Sequence, residues 1–257
     1  MKYNYLIIIA LILGMVSCSE DDTPSPDSGD NGGDGQSYHK HEVGWSARDL
    51  LASENYSGLT IEIIYAEGYE PTQEALDNLK NLLQNRINKP EGITISTTAI
   101  SSPGLAPYSL DDIQQVEENN RSAFNNGDNL AVYGFIADGK YEQSDNVLGV
   151  AYRNTSFALF GSQIEENSGG LNEPSKALLE STVTNHELGH LLGLVNNGTP
   201  MQNDHQDEEN GHHCDNDQCL MYWAAETGDI VSSLAGSDNP PPFDDNCKAD
   251  LQAIEEQ

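Results

Sequence analysis

Basic residues are scarce in this chain: 11 lysines and arginines stand against 42 aspartates and glutamates, a formal net charge of −31. So acidic a surface repels phosphate backbones and anionic lipid, which excludes a nucleic-acid ligand and adsorption to an anionic membrane face. Long apolar runs are missing as well. The longest, Leu6 to Val16, is too short to span a bilayer. No internal repeat is visible, and the acidic stretches lack EF-hand spacing. Apolar residues make up only 37%, although part of that deficit falls in an N-terminal linker. The length of 257 residues suffices for one large domain or two small ones, with a proper core.

The leader is excluded from fold reasoning. Lys2 followed by the short apolar run reads as a secretory signal over residues 1–17. Met15-Val16-Ser17-Cys18 resembles a bacterial lipobox, in which the cysteine, here Cys18, is lipidated. Residues 18–37 are rich in Asp, Gly, Ser and Pro and can bury nothing, so they form a disordered tether. The acidic run directly after Cys18 resembles the surface-export signal of Bacteroidetes lipoproteins. That resemblance implies an outer-membrane lipoprotein facing outward and touching the membrane only through its anchor. Residues 38–257 are the folded domain. Outside the cytoplasm, its three cysteines, Cys214, Cys219 and Cys247, leave a free thiol, an intermolecular bridge or a metal cluster.

Periodicity within the domain predicts strands at 60–66, 92–100, 129–138 and 147–154, with a further one at 156–164. Helices are predicted from Pro71, from an N-cap at Ser109, and from Glu173-Pro174 to about Leu194. This order gives an α+β class: a mixed sheet with flanking helices.

The last helix carries the chemistry. His186 and His190 stand four apart, on one face and one turn apart, so both imidazoles reach one ion. Zn²⁺ is the usual occupant of such a pair. Glu187 between them is placed to take a proton from a metal-activated water. Gly193 can end the helix in a left-handed turn and send the chain back under the metal.

His186-Glu187-x-x-His190-x-x-Gly193 resembles the metzincin clan of zinc peptidases. Most metzincins place a third histidine three residues after the glycine; here that position is Asn196. Further on, His213-Cys214, four residues, Cys219-Leu220-Met221 is similar to the archaemetzincin branch. On that reading about 17 residues are inserted between the glycine turn and the third ligand. His213 is favoured because the downstream register is intact, and His205 is the alternative. His212 is a neighbour that points elsewhere, and His39 and His41 are read as bland. The resemblance implies a metzincin-like zincin fold in which Met221 forms the turn beneath the metal without ligating it, while Tyr222 and Trp223 are wall or core. It also implies a structural zinc on Cys214, Cys219 and a later Cys-x-x-Cys, of which only Cys247 survives here. A Cys₃Asp or Cys₃His site and a Cys214–Cys219 disulfide stand as alternatives. The acids Asp204, Asp207, Glu208, Glu209, Asp215 and Asp217 are read as solvated, with a Ca²⁺ site as the alternative.

The expected function is a surface-exposed zinc metalloendopeptidase acting on protein or peptide, with one catalytic zinc. Two rivals remain: an inactive surface binding module, and a metal-holding lipoprotein.

Overall fold

The computed structural model describes residues 35–255, so the leader, Cys18 and most of the tether lie outside the described residues. Among the described residues no helix is long and apolar enough to cross a membrane. Five strands form one mixed sheet: β1 (Gly58–Ala66), β2 (Gly92–Ile100), β3 (Asn129–Ala137), β4 (Gly149–Arg153) and β5 (Ser156–Phe160). The order is β2-β1-β3-β5-β4. All pairings are parallel except β4 against β5. β4 is therefore an edge strand and β5 lies inside the sheet.

Among the described residues seven α-helices accompany the sheet: α1 (Ala47–Leu51), α2 (Gln73–Gln84), α3 (Leu110–Asn120), α4 (Gly161–Glu166), α5 (Lys176–Leu191), α6 (Val231–Leu234) and α7 (Asp245–Glu255). The longer ones start on side-chain caps. Thr72 accepts from the Ala75 amide, and Ser175 from the Leu178 amide. Ser109 and Asp112 form a reciprocal capping box. The predicted strand over 156–164 is corrected at its second half, which is α4. The chain must turn at Gly161, where a Cβ would stand 2.6 Å from Tyr69 Cδ1 and 2.8 Å from the Ala137 carbonyl.

Strand alternation divides the apolar side chains between two faces. Leu59, Ile61, Ile63, Leu130, Val132, Ile136, Phe157 and Leu159 share a core with α2 and α5. Ile64, Tyr133, Phe135, Ala158 and Phe160 pack with Ile113 and Val116 of α3. Every α5 residue from Leu178 to Leu191 is buried. A helix buried all round is held by packing rather than propensity, each large aliphatic contributing about 1.5–3 kcal/mol. This fixes the metal-motif helix rigidly behind β4.

Beneath α3 lies a buried polar network. Arg121 and Arg153 bind the Glu117 carboxylate at 2.7 and 2.9 Å. His39, read as bland, is buried here, its Nδ1 taking hydrogen bonds from Thr155 and Arg121 at 2.7 and 2.9 Å. His41 stacks on Trp45, ring centroids 3.8 Å apart.

Candidate metal centre

α5 presents His186 and His190 on one face, their Nε2 atoms 3.1 Å apart. The helix stops where the glycine demands. Gly193, at φ +74°, donates to the His190 carbonyl, and Leu194 donates to that of Gly189. These two bonds make a Schellman cap. A Cβ on Gly193 would meet the Thr199 amide at 2.7 Å, so the position is closed to other residues. Asn196, where the usual third ligand would stand, is exposed in a left-handed turn.

The imidazole that joins the pair is His213. Its ring centroid lies 5.2 Å from that of His186 and 5.0 Å from that of His190. His205 does not approach them and belongs to a different cluster. His212 turns away and bonds the Val195 carbonyl through Nδ1 at 3.1 Å.

Carbonyls orient two of the rings. His186 Nδ1 donates to the Leu220 carbonyl at 2.7 Å, and His213 Nδ1 to that of Asn210 at 2.6 Å. A carbonyl only accepts, so Nδ1 carries the proton and Nε2 offers a lone pair inward. Met221 packs under the helix so closely that a Cβ on Gly189 would be 2.3 Å from its sulfur. Tyr222 and Trp223 lie partly buried against the core.

A fourth group faces the three rings. Glu226, at the end of a short 3₁₀ turn (Trp223–Glu226), sets its carboxylate 3.6 Å from His213 Nε2, 3.9 Å from His186 Nε2 and 4.0 Å from His190 Nε2. The four ligand atoms lie within 4.8 Å of one another. Nothing in the sequence pattern announced Glu226, which stands outside the motif.

Electrostatics fit a cation here. Burial and then the neighbouring histidines hold His190 well below its ordinary pKa. Burial takes His186 to about 4, against the pull of Glu226. For His213, burial acts downward, but Glu226 and the Asn210 carbonyl outweigh it and raise the value. Converging lone pairs with an orphaned His213 Nε2 are costly unless a metal satisfies them. The residues therefore fit a zinc ion.

Glu187 is wholly buried, and neither carboxylate oxygen has a hydrogen-bond partner of good geometry. Burial first, then the Glu226 charge, push its pKa well above the carboxylate range, opposed by the Ala151 amide. Its oxygen lies against the β4 backbone, and a Cβ on Gly149 would stand 2.6 Å from Oε1. Gly149 is thus a site residue that composition could not reveal.

A thiol centre lies next along the chain. Ligand atoms of His205, Cys214, Asp244 and Cys247 fall within 4.8 Å of one another. Cys219 joins them, with its sulfur 3.6 Å from that of Cys247. All three cysteines are buried free thiols, so the Cys214–Cys219 disulfide is not formed. His205 Nδ1 lies 3.4 Å from Cys214 Sγ, while its Nε2 is held by the buried Asp250 carboxylate at 2.8 Å. That is the carboxylate–histidine pairing that orients metal ligands. The Met221 and Asp244 amides both point at Cys219 Sγ, at 3.4 Å each. Contact with the Cys214 and Cys247 thiols pulls the Cys219 pKa down, against burial and with help from those amides.

Of the loop acids, Asp204, Glu208, Glu209, Asp215 and Asp217 face solvent. Asp207 stays local, accepting from the Glu209 amide and the Asn210 side chain.

No family profile matches the sequence, and no curated protein matches it. Solved structures do. Archaemetzincin from Methanopyrus kandleri aligns at a TM-score of 0.53 and 13% identity, covering 78% of this chain and 97% of that one. Metalloproteinase-II from Bacteroides fragilis aligns at a TM-score of 0.41 and 15% identity, covering 80% of this chain and 55% of that one. At such identities the likeness speaks for architecture alone, and the first of them, together with the five-stranded mixed sheet and its flanking helices, makes this an α+β fold of the archaemetzincin type.

Proposed function

We propose that the chain is a zinc-dependent endopeptidase. The observation that carries this reading is the convergence of three imidazoles beside a buried, unpaired glutamate. A zinc ion held by His186, His190 and His213 would supply Lewis acidity, polarising a peptide carbonyl and acidifying a water. The protein's own part is proton traffic and alignment. Glu187, kept out of water and raised in pKa, takes a proton from the nucleophile and returns it to the leaving amine. Substrate backbone in extended form pairs with the open edge of β4, beside Gly149 and Glu187. Met221 and the Leu220 carbonyl hold the rings in place. Glu187→Gln tests the reading: peptide cleavage should vanish while zinc stays bound, and a variant that still cleaves would overturn it.

The thiol centre reads as a structural zinc site built from Cys214, Cys219, Cys247 and His205, with Asp250 fixing the imidazole. Its closure by four protein ligands and its burial support a structural role.

The acids of the loop between Gly193 and His213 favour basic peptides over acidic ones. A peptide library cleaved without preference for Lys or Arg would remove that element. The lipobox and the tether support a surface lipoprotein. Labelled fatty acid should enter the wild-type chain and not Cys18→Ala; equal labelling would refute anchoring at that residue.

A further inference from the structure

Glu226 has no role in the scheme above, yet its position is specific. Among the described residues its carboxylate finds no lysine, arginine or backbone amide, and its ion-pair partners are the three imidazoles. It is also not a random visitor. Its carbonyl accepts from Leu148, and Val147 bridges to Thr227, so the residue is stitched to the start of the edge strand.

The distances are those of a coordination shell. Tetrahedral bonds of about 2.0–2.2 Å place neighbouring ligand atoms roughly 3.3–3.6 Å apart. His186 and His190 stand at 3.1 Å; Glu226 Oε1 lies 3.6 Å from His213 Nε2, and its Oε2 lies 3.9 and 4.0 Å from His186 and His190 Nε2. A small rotation of the carboxylate would bring one of these oxygens to a fourth vertex. Zinc sites that catalyse keep that vertex open, whereas sites with four protein ligands are closed.

We propose that Glu226 is the fourth metal ligand of the resting protein and gates its own site. In that state the vertex that a water or a substrate carbonyl needs is filled. Substrate laid along β4 reaches the Val147–Leu148 segment that holds Glu226, so occupation of the strand edge and release of the carboxylate are mechanically linked. The metal-ligand part stands on geometry alone, and the gating part rests on the peptidase reading.

Cobalt(II) substitution and zinc competition titration test the two parts separately. Against wild type, Glu226→Gln should weaken zinc binding at least about tenfold and change the visible cobalt spectrum. Glu187→Gln should leave both unchanged. With a denatured protein substrate, Glu226→Gln under saturating zinc should show a several-fold higher kcat/KM. Should Glu226→Gln fail to fold, Glu226→Asp, one methylene short, should give the same spectral change. An unaltered zinc affinity and cobalt spectrum in a folded variant overturns the ligand assignment. A spectral change with lower kcat/KM overturns the gate. If wild type and variant both lack cleavage while the spectral change is present, the peptidase reading fails and the ligand assignment stands.

Discussion

The histidine centre and the thiol centre meet at the adjacent residues His213 and Cys214, yet their chemistry diverges. At the histidine centre, the ligand atoms are nitrogens and one carboxylate that keeps 26% of its side-chain surface exposed. Beside it sits the wholly buried carboxylate of Glu187. At the thiol centre, sulfurs dominate, every cysteine is buried, and even the imidazole is tied off by Asp250. A nitrogen-rich set with one partly exposed carboxylate suits turnover, while a sealed, sulfur-rich set suits holding a chain in place. On the proposed reading the difference is a division of labour: the first centre turns substrate over, and the second sets where the first one's third imidazole stands. Cys214 adjoins His213, and its amide donates to the Met221 carbonyl at 2.7 Å.

That division is open to attack. The largest effect should come from Glu187→Gln, with turnover down roughly 100- to 10,000-fold and zinc content unchanged by elemental analysis. Loss of zinc along with activity would mean that the glutamate supports the metal and does not move protons. Next comes Cys247→Ala. It should lower Tm by about 10 °C or more, for a loss of ~3–5 kcal/mol, and bring the metal count by native mass spectrometry from two to one or fewer. An unchanged melting curve would remove the structural half of the comparison. A smaller effect is expected from Gly149→Ala, whose methyl would collide with Glu187 Oε1 and Val183 at 2.6 Å. It should reduce kcat by about tenfold, or ~1.4 kcal/mol, with Tm little changed; stopped-time peptide assays and calorimetry would show whether Tm falls instead.

An effect confined to acid pH lies away from both centres and serves as their reference. Burial first, then Arg121, hold His39 at about 3 in the folded protein against an ordinary 6.5. Between those values the unfolded chain binds the extra proton, so stability rises with pH. This contribution is complete above about 6.5 and lost as pH falls towards 3, on the order of a few kcal/mol at most. Urea unfolding at several pH values should give His39→Gln a flatter acid limb than wild type. Identical slopes would place the acid sensitivity elsewhere.

How much of this was legible beforehand follows from how local each signal is. α2 announces itself through Pro71 and α3 through Ser109, because such signals are written next to the helices they start, although the cap of α2 is Thr72. The strands show through alternation, and the helical pair His186 and His190 through spacing. α4 was hidden because its onset depends on Tyr69 and Ala137, which crowd Gly161 from other parts of the chain. His205 looked like a ligand, and the structure gives it a ligand's surroundings, but with Cys214 and Asp250 in place of the helical pair. The choice between two late histidines is a matter of loop folding, which residue spacing does not record. Glu226 and Gly149 left no trace at all, since both matter only through residues distant in sequence.

The Schellman cap at Gly193 and the downstream anchoring of His213 have a consequence for recognising such chains. The histidine's place is dictated by the Asn210 carbonyl and by Cys214 and the methionine turn, so the stretch between Gly193 and His205 is under little constraint of length. Closing a longer loop adds only about 0.6 kcal/mol per doubling. Insertions there are nearly neutral to the centre, and a search that counts residues forward from the glycine will pass such proteins by. Counting backward from the methionine will find them.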